Sequence, residues 1–166
     1  NGLNLLNPET EVIRRFKVDP RGVEGTKNGQ IRSIFEDREG IMWIATAQGG
    51  LNMYDENNNI FKSFTNDPED PNSISGNSLR NIFEDENGYL WMGTDQGLNR
   101  FDKKTEQFTS YKSIPGDLSS LSHNSIQHLY ISRSGQYWVC TNGGLNLFDR
   151  STGKFRSWGV RQGMSN

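Results

Sequence analysis

One segment of this 166-residue chain occurs three times, and a shortened copy of it occurs a fourth time. The central copy spans residues 82–101 and reads IFEDENGYLWMGTDQGLNRF, and its counterparts are residues 34–54 and 129–148. The shortened copy is residues 2–6. Equivalent positions are 47 or 48 residues apart, as in the tryptophans Trp43, Trp91 and Trp138. A repeat of this length predicts a series of equivalent structural units rather than one irregular core.

Composition excludes several classes of protein. The formal net charge is −2, from 18 basic and 20 acidic residues without a basic cluster, so we expect no nucleic-acid partner. No apolar run approaches the length of a membrane-spanning helix, so we expect no membrane contact within this segment. The single cysteine, Cys140, rules out an internal disulfide framework.

Each full repeat contains four short apolar segments separated by turn residues, which predicts four strands. In the second repeat the predicted strands are residues 79–83, 90–94, 98–101 and 107–111. Short connections with glycine at the tight positions make each strand antiparallel to the one before it. Before the first full repeat, the predictions are two strands at residues 2–6 and 12–18, and a loop at residues 19–29.

Antiparallel units of four strands and about 47 residues describe the blades of a β-propeller, so the predicted fold class is all-β. The predicted boundaries are a partial blade with its connector at 1–29, blade 1 at 30–78, blade 2 at 79–125 and blade 3 at 126–166. About three and a half blades make an open arc, which we interpret as a fragment of a seven-bladed propeller. Exposed blade edges also predict self-association.

The motif resembles the two-component regulator propeller repeat. The residues that carry the resemblance in the second repeat are Ile82, Glu84, Asp85, Gly88, Leu90, Trp91, Gly93, Thr94, Gly97, Leu98, Asn99, Arg100 and Asp102. The third repeat departs from the motif, with Ile131 and Ser132 in place of Glu-Asp and Cys140 in place of the glycine. These departures weaken one copy without removing the pattern.

The resemblance implies a place and a role. Such repeats form the periplasmic sensor region of hybrid two-component histidine kinases, which detect oligosaccharides from outside the inner membrane. It implies an oligosaccharide ligand, a dimer of the full-length protein, and ligand-driven signalling to a distant kinase. The segment itself is then expected not to be an enzyme, although the full-length protein would resemble a sensor histidine kinase.

The residues that recur in every repeat are interpreted as structural. We expect the three tryptophans to pack between adjacent blades, and Thr46, Thr94 and Thr141 to cap turns of the backbone. Asp37 and Asp85 are interpreted as turn-capping residues rather than as a pair of catalytic acids. The segment Asp55–Asn59 begins like a calcium loop but lacks the required glycine and glutamate, and Cys140 is expected to be a buried, inert thiol.

Function is expected where the repeats differ, on the rim that gathers the connectors between blades and the turns between second and third strands. Neutral amides with few charges suit the hydroxyl groups of a carbohydrate. The candidate ligand-binding residues are Arg32, Arg80, Gln127, Gln48, Asp95, Gln96, Asn142 and His123. The sequence predicts no catalytic residue, metal site or cofactor.

Two alternatives stay open at the level of sequence. Propellers also carry glycan lyases and hydrolases, which would need convergent acids or a histidine–carboxylate set on one rim. A propeller that serves protein docking or dimerisation would instead make its contacts through the loops. The fold alone does not choose among these functions.

Overall fold

The structure is a computed structural model that describes residues 2–159, and over this range it contains β-strands, turns and connectors without a helix. Blade 1 comprises β5 (Ile31–Glu36), β6 (Met42–Thr46), β7 (Leu51–Asp55) and β8 (Ile60–Phe64). Blade 2 comprises β9 (Leu79–Glu84), β10 (Leu90–Thr94), β11 (Gly97–Asp102) and β12 (Gln107–Tyr111). Blade 3 comprises β13 (Ile126–Ile131), β14 (Tyr137–Thr141), β15 (Gly144–Asp149) and β16 (Lys154–Trp158).

In each blade the four strands follow one another in chain order, and every neighbouring pair is antiparallel. This is the all-β, open arrangement of blades that the repeat predicts. The strands of blade 2 begin and end within one residue of the predicted positions, because the glycines and Asx residues that end them are visible in the sequence.

The leading residues fold into two small sheets, which differ in part from the prediction. Strand β1 (Asn4–Leu6) pairs antiparallel with β2 (Ile13–Arg15), as expected. The predicted strand over 12–18 is interrupted at Phe16, and its end, β3 (Lys17–Val18), pairs in parallel with β4 (Gly25–Thr26). The predicted loop at 19–29 therefore contains a strand.

Asp19 explains this difference. Its carboxylate accepts hydrogen bonds from the backbone N–H groups of Arg21, Val23 and Glu24 at 3.0–3.2 Å. These bonds fold residues 19–24 into a compact turn that returns the chain alongside β3. Backbone and side-chain hydrogen bonds to the carboxylate also lower the pKa of Asp19 well below its ordinary value.

The apolar core lies between the sheets, in three separate clusters. The first joins the leading strands to blade 1 around Phe16, Ile44 and Tyr54. The second joins blades 1 and 2, where the Trp43 ring lies 5.6 Å from that of Phe101. The third joins blades 2 and 3. There Trp91 lies 5.3 Å from Tyr137 and 5.5 Å from Phe148. The prediction that the repeated tryptophans pack between blades is confirmed for Trp43 and Trp91.

Two predictions are wrong within the described residues. Trp138 does not pack between two blades, and Cys140 is not fully buried. Trp138 is half-buried and packs against Trp158 of its own blade, with 5.8 Å between the ring centroids. Cys140 is also half-buried, whereas its counterpart Ala45 is fully buried. The cause is the same for both residues. The faces of blades 1 and 2 that carry the equivalent positions are covered by the following blade, whereas blade 3 is the last blade that the structure describes.

The connectors and the turns between second and third strands lie on the same side of the blades, as predicted. Backbone hydrogen bonds join the two sets of segments in every blade: Ala47 to Gln30 at 3.0 Å, Asp95 to Ser78 at 3.2 Å and Asn142 to Ser125 at 3.2 Å. We call this side the connector rim. The opposite rim carries the turns between first and second strands and those between third and fourth strands. The inner strands β5, β9 and β13 are neighbours across the blades.

Over residues 2–159, the chain forms no helix that is long and apolar enough to cross a membrane.

Candidate ligand-binding rim

A β-bulge lies at the start of each inner strand, where three of the candidate residues are found. In blade 1 the pairing with β6 passes from Ile31 to Ser33, which leaves Arg32 as the extra residue. In blade 3 the pairing with β14 passes from Ile126 to His128, which leaves Gln127 as the extra residue. Bulges re-aim side chains out of the regular alternation of a strand and are over-represented next to functional sites.

Blade 2 contains the same irregularity. Its ladder passes from Leu79 to Ile82 on β9 while the partner strand advances by only two residues, and Arg80 lies within the bulge. Arg80 is half-buried, whereas Arg32 and Gln127 are exposed. Sequence reasoning placed these three residues near the connector rim but did not predict the bulges.

The structure brings two of the predicted residues into direct contact. Gln127 Nε2 donates a hydrogen bond of 2.7 Å to Asn142 Oδ1, and it also donates to Ser125 Oγ at 3.2 Å. Both side chains are exposed on the connector rim. His123 lies next to them in the connector, where its Nδ1 accepts a hydrogen bond of 3.0 Å from the Ser125 N–H. These contacts form one polar group on blade 3.

The remaining candidates are less closely associated. Gln48, Asp95 and Gln96 are exposed in the turns that follow β6 and β10. The turn of blade 2 packs against Gly76, where a Cβ atom would lie 2.6 Å from Asp95 Oδ1. Within residues 2–159, no hydrogen bond joins Arg32, Arg80 or Gln48 to another candidate residue.

Two open cavities lie on the connector rim. One, of about 550 Å³, is lined by Gly29, Gln30 and Arg32 together with Gly2. The other, of about 630 Å³, lies between the connector of residues 113–122 and the turn that contains Asn142. Each cavity therefore includes one of the predicted residues.

The repeated threonines stabilise this rim as the sequence predicts. Thr94 Oγ1 donates to the Gly97 carbonyl at 3.1 Å and accepts from the Gln96 N–H at 3.0 Å. Thr46 and Thr141 make the corresponding bonds to Gly50 and Gly144. These threonines thus hold the turns that present the candidate residues.

A repeated asparagine has a structural role that the sequence reasoning missed. Asn52, Asn99 and Asn146 are completely buried at equivalent positions in the three blades. Asn99 Oδ1 accepts from the Ser75 N–H at 2.9 Å, and its Nδ2 donates to Ser75 Oγ at 2.8 Å. The asparagine therefore fixes each connector to its own blade. The recurrence of Leu-Asn in every repeat was the available signal.

On the opposite rim, Asp37 and Asp85 cap their turns and also bind the repeated tryptophans. Asp85 Oδ1 accepts from the N–H groups of Asn87 and Tyr89, and its Oδ2 accepts from Trp91 Nε1 at 2.9 Å. Asp37 makes the same bonds, including one of 2.8 Å from Trp43 Nε1. The turn-capping interpretation is thus supported, but the second oxygen had not been assigned.

Each of these aspartates is also approached by a cation from the following blade. Lys103 Nζ lies 2.9 Å from Asp37 Oδ2 and 2.8 Å from Glu84 Oε1. Arg150 lies 3.4 Å from Asp85 Oδ2 and also binds Glu86. Burial opposes the charge of Lys103, but hydrogen bonds to Glu84 and Asp37 outweigh it and raise its pKa. The pairs of Lys103 with Asp37 and of Arg150 with Asp85 connect adjacent blades.

The possible calcium loop is a turn, as interpreted from the sequence. Asp55 accepts hydrogen bonds from the backbone and side chain of Asn58, and Asn59 has the left-handed backbone conformation of a turn residue. Among residues 2–159, no group of three or more histidine, cysteine, aspartate or glutamate side chains is arranged to hold a metal ion.

The two component regulator propeller family matches three segments of the chain, residues 25–48, 73–96 and 120–143. Each match spans the end of a connector, the inner strand and the second strand of one blade. A search of curated proteins gives no match.

Among solved structures, the chain is similar to the extracellular domain of BT3049, described as a hybrid two component system of B. thetaiotaomicron. The sequences are 31% identical and the TM-score is 0.72, over 81% of this chain and 19% of that one. The chain thus spans about a fifth of that structure.

Two more distant similarities concern the fold alone. Virginiamycin B lyase from Staphylococcus aureus is 14% identical with a TM-score of 0.65, over 96% of this chain and 48% of the lyase. PorZ from Porphyromonas gingivalis is 15% identical with a TM-score of 0.66, over 94% of this chain and 24% of PorZ. The family matches, the blades and the similarity to BT3049 agree: the chain is built from two-component regulator propeller repeats.

Proposed function

We propose that this chain is part of the extracytoplasmic sensor propeller of a hybrid two-component regulator, and that it recognises an oligosaccharide at the connector rim. The sensor role is supported by the family of the repeats and by the similarity to the extracellular domain of BT3049. The polar side chains of the connector rim support an oligosaccharide as the ligand.

The observation that carries the proposal is the coincidence of bulges with sequence variation. The residues that the repeats share are engaged in packing, as Trp91 is, or in backbone hydrogen bonds, as Asn99 is. The bulged positions instead carry arginine in two blades and glutamine in the third. A repeated fold that displays different polar groups at one structural position can match an asymmetric ligand.

The polar group on blade 3 has the hydrogen-bonding capacity that a sugar requires. Gln127 uses its Nε2 donors on Asn142 and Ser125. Within the described part of the chain, Gln127 Oε1 and Asn142 Nδ2 make no hydrogen bond, so one acceptor and one amide donor group face solvent side by side. A vicinal diol presents the complementary donor and acceptor pair.

Binding at this rim would act on the arrangement of the blades. Each connector enters the inner strand of one blade, and an asparagine ties it to that blade. A ligand that contacts two connectors therefore favours one relative position of the blades. Such a ligand shifts the equilibrium between two arrangements only by the difference between its affinities for them.

The proposal is tested by calorimetric titration of the protein with neutral gluco-, xylo-, manno- and arabino-oligosaccharides. We expect saturable binding of at least one series. Gln127→Ala and Asn142→Ala should each weaken that binding about three- to tenfold, which is the worth of one hydrogen bond. Asn57→Ala, an exposed amide on the opposite rim, is the matched control and should leave the affinity unchanged.

Two results would contradict the proposal. The first is the absence of binding for every series with folded protein, as checked by its unfolding transition. The second is glycan binding that is equally unaffected by Gln127→Ala, Asn142→Ala and Arg80→Gln, since this would place the ligand elsewhere.

A further inference from the structure

A third cavity, of about 700 Å³, lies on the opposite rim between blades 2 and 3. Its walls carry Tyr89 and Tyr111 from blade 2 and Tyr137 from blade 3. Arg100 on β11 and Arg150 after β15 line the same space. The cavity thus combines aromatic walls with two guanidinium groups, and it is separate from the connector rim.

Among residues 2–159, no carboxylate forms an ion pair with Arg100. Its guanidinium lies 4.7 Å from the centre of the Tyr89 ring, and its Nη2 donates a long hydrogen bond of 3.4 Å to Thr109 Oγ1. Its Nε atom is buried, and within residues 2–159 it has no hydrogen-bond partner. Buried polar groups are nearly always paired, so the side chain of Arg100 is held beside this cavity with one donor unsatisfied.

The acidic side chains of the cavity are already engaged. Asp85 accepts from Trp91 and Tyr89 and lies against Arg150, while Asp149 accepts from Ser151 at 2.7 Å. Arg150 in turn is balanced by Asp85 and Glu86. Of the two arginines that line the cavity, Arg100 is therefore the one without an ion pair in the described part of the chain.

The corresponding cleft between blades 1 and 2 lacks this chemistry. By the repeat spacing, Met53 occupies the position of Arg100, and Ile41 occupies that of Tyr89. Both residues pack against the apolar cluster of blades 1 and 2. The cavity on that side is only about 180 Å³. An aliphatic pair thus suffices for packing at this position, and blade 2 has replaced it with an arginine and a tyrosine.

We infer that the cleft between blades 2 and 3 binds a sugar acid, a polyhydroxylated ligand that carries one carboxylate. The carboxylate accepts charge-assisted hydrogen bonds from the guanidinium group of Arg100, which lines the cavity and forms no ion pair among residues 2–159. The apolar face of the sugar lies against Tyr89 and Tyr111, the half-buried aromatic side chains of the cavity. Asn87, Gln136 and Ser151 supply polar groups for the hydroxyls. This inference does not rest on glycan binding at the connector rim.

The test is a titration with sodium glucuronate, followed through the tryptophan indole N–H signals in NMR spectra. Glucose is the neutral counterpart and acetate is the small carboxylate. We expect glucuronate to shift the Trp91 signal saturably and to leave Trp43, which has the same aspartate partner in blade 1, unshifted. Glucose and acetate should bind at least about tenfold more weakly, because each lacks one half of the recognised ligand.

Arg100→Met installs the residue that blade 1 has at this position and should weaken glucuronate binding at least about tenfold. Arg156→Met, on an exposed arginine of β16, is the matched control and should have no effect. Arg100→Lys keeps the charge but loses the planar guanidinium, so it should also weaken glucuronate binding, and it provides a second variant if the methionine variant does not fold.

The inference is overturned if glucuronate does not shift Trp91, if glucose binds as well as glucuronate, or if the folded Arg100 variants bind like the wild type. The connector-rim variants Gln127→Ala and Asn142→Ala should leave glucuronate binding unchanged. The two binding proposals can therefore fail independently.

Discussion

Trp91 Nε1 donates a hydrogen bond of 2.9 Å to Asp85 Oδ2, and this bond joins the core between two blades to the turn at their rim. The indole is 2% exposed, so it has no access to bulk water as an alternative acceptor. The same relationship recurs between Trp43 and Asp37 at 2.8 Å. The aspartate and tryptophan of each motif, six residues apart, thus act as one unit.

We predict that Asp85→Asn destabilises the protein by about 2–4 kcal/mol. The amide would turn a donor toward the buried Trp91 indole or toward the turn N–H groups, and it would remove one of the two acidic partners of Arg150. Urea unfolding measures the loss. Asp70→Asn, an exposed residue of a connector, should change the free energy of unfolding by less than about 0.5 kcal/mol. Equal effects of the two substitutions would contradict the role of Asp85.

Ser132 stands where Asp37 and Asp85 stand in the other repeats, and it caps the same turn through a bond of 3.0 Å from the Gln136 N–H. We predict that Ser132→Asp stabilises blade 3 by about 0.5–1 kcal/mol, because it provides an acceptor for the Trp138 indole. The expected gain is small because Trp138 is half-buried. The midpoint of urea unfolding measures it. Ser132→Asp combined with Trp138→Phe should lose the gain, and a gain that persists would point to the turn alone.

We predict that Asp37 contributes to the loss of stability at acid pH. Burial raises the pKa of this carboxyl group, but hydrogen bonds from Trp43, the Ile41 N–H and Lys103 outweigh burial and lower the pKa overall. A carboxylate whose pKa is lower in the folded protein contributes stability above its unfolded pKa and loses it as the pH falls through the folded pKa. We therefore expect the free energy of unfolding to decrease between about pH 5 and pH 2.

Urea unfolding at several pH values tests this dependence. In Asp37→Asn the free energy of unfolding should decrease less between about pH 5 and pH 2, because the substitution removes a titrating group. Asp70→Asn should leave this pH dependence nearly unchanged. A wild-type profile that is flat over this range would refute the role of Asp37.

Glycine at position 93 should be required because blade 3 packs directly on it. A Cβ atom there would lie 2.4 Å from Ile126 Cγ2. We predict that Gly93→Ala costs about 1–3 kcal/mol in the free energy of unfolding, as overpacked core positions do. Cys140→Val changes the equivalent position of blade 3 and should cost less than about 0.5 kcal/mol, because Cys140 is half-buried. Similar costs at both positions would contradict this explanation.

The sequence repeat allows the strands, their order and the structural role of most shared residues to be predicted, because each blade is a local unit. The features that the repeat does not show depend on contacts with a neighbouring strand or blade. Cys140 and Gly93 share a position in the motif, yet their burial differs because only Gly93 is followed by a described blade. The bulges at Arg32 and Gln127 are not visible either, since a bulge depends on the pairing of two strands rather than on one segment.

Some contacts between adjacent blades could have been predicted from the sequence. Lys103 and Arg150 each follow an aspartate that ends a third strand, and each meets the aspartate of the preceding blade. Blade 1 has Glu56 at this position, and the leading strands that precede it contain no counterpart of Asp37. Matching the two repeat positions would have predicted the ion pairs. By contrast, only the three-dimensional structure shows that Arg100 Nε is buried without a hydrogen-bond partner among residues 2–159.

We predict that the chain self-associates through the face of blade 3 that carries Trp138 and Trp158. Trp138 and Trp158 pack against each other on a face whose equivalents in blades 1 and 2 are covered by the next blade. We expect copies of this 166-residue chain to associate through that face, since apolar surface of this kind favours association. Light scattering over a range of concentrations should show a rising mass.

Trp138→Ser should weaken the association at least about tenfold, because it removes a large aromatic contact. Leu118→Ser, at an exposed leucine of a connector, is the control and should not. A constant monomer mass would mean that the chain does not use this face to associate, and ligand titrations could then be interpreted for a single copy.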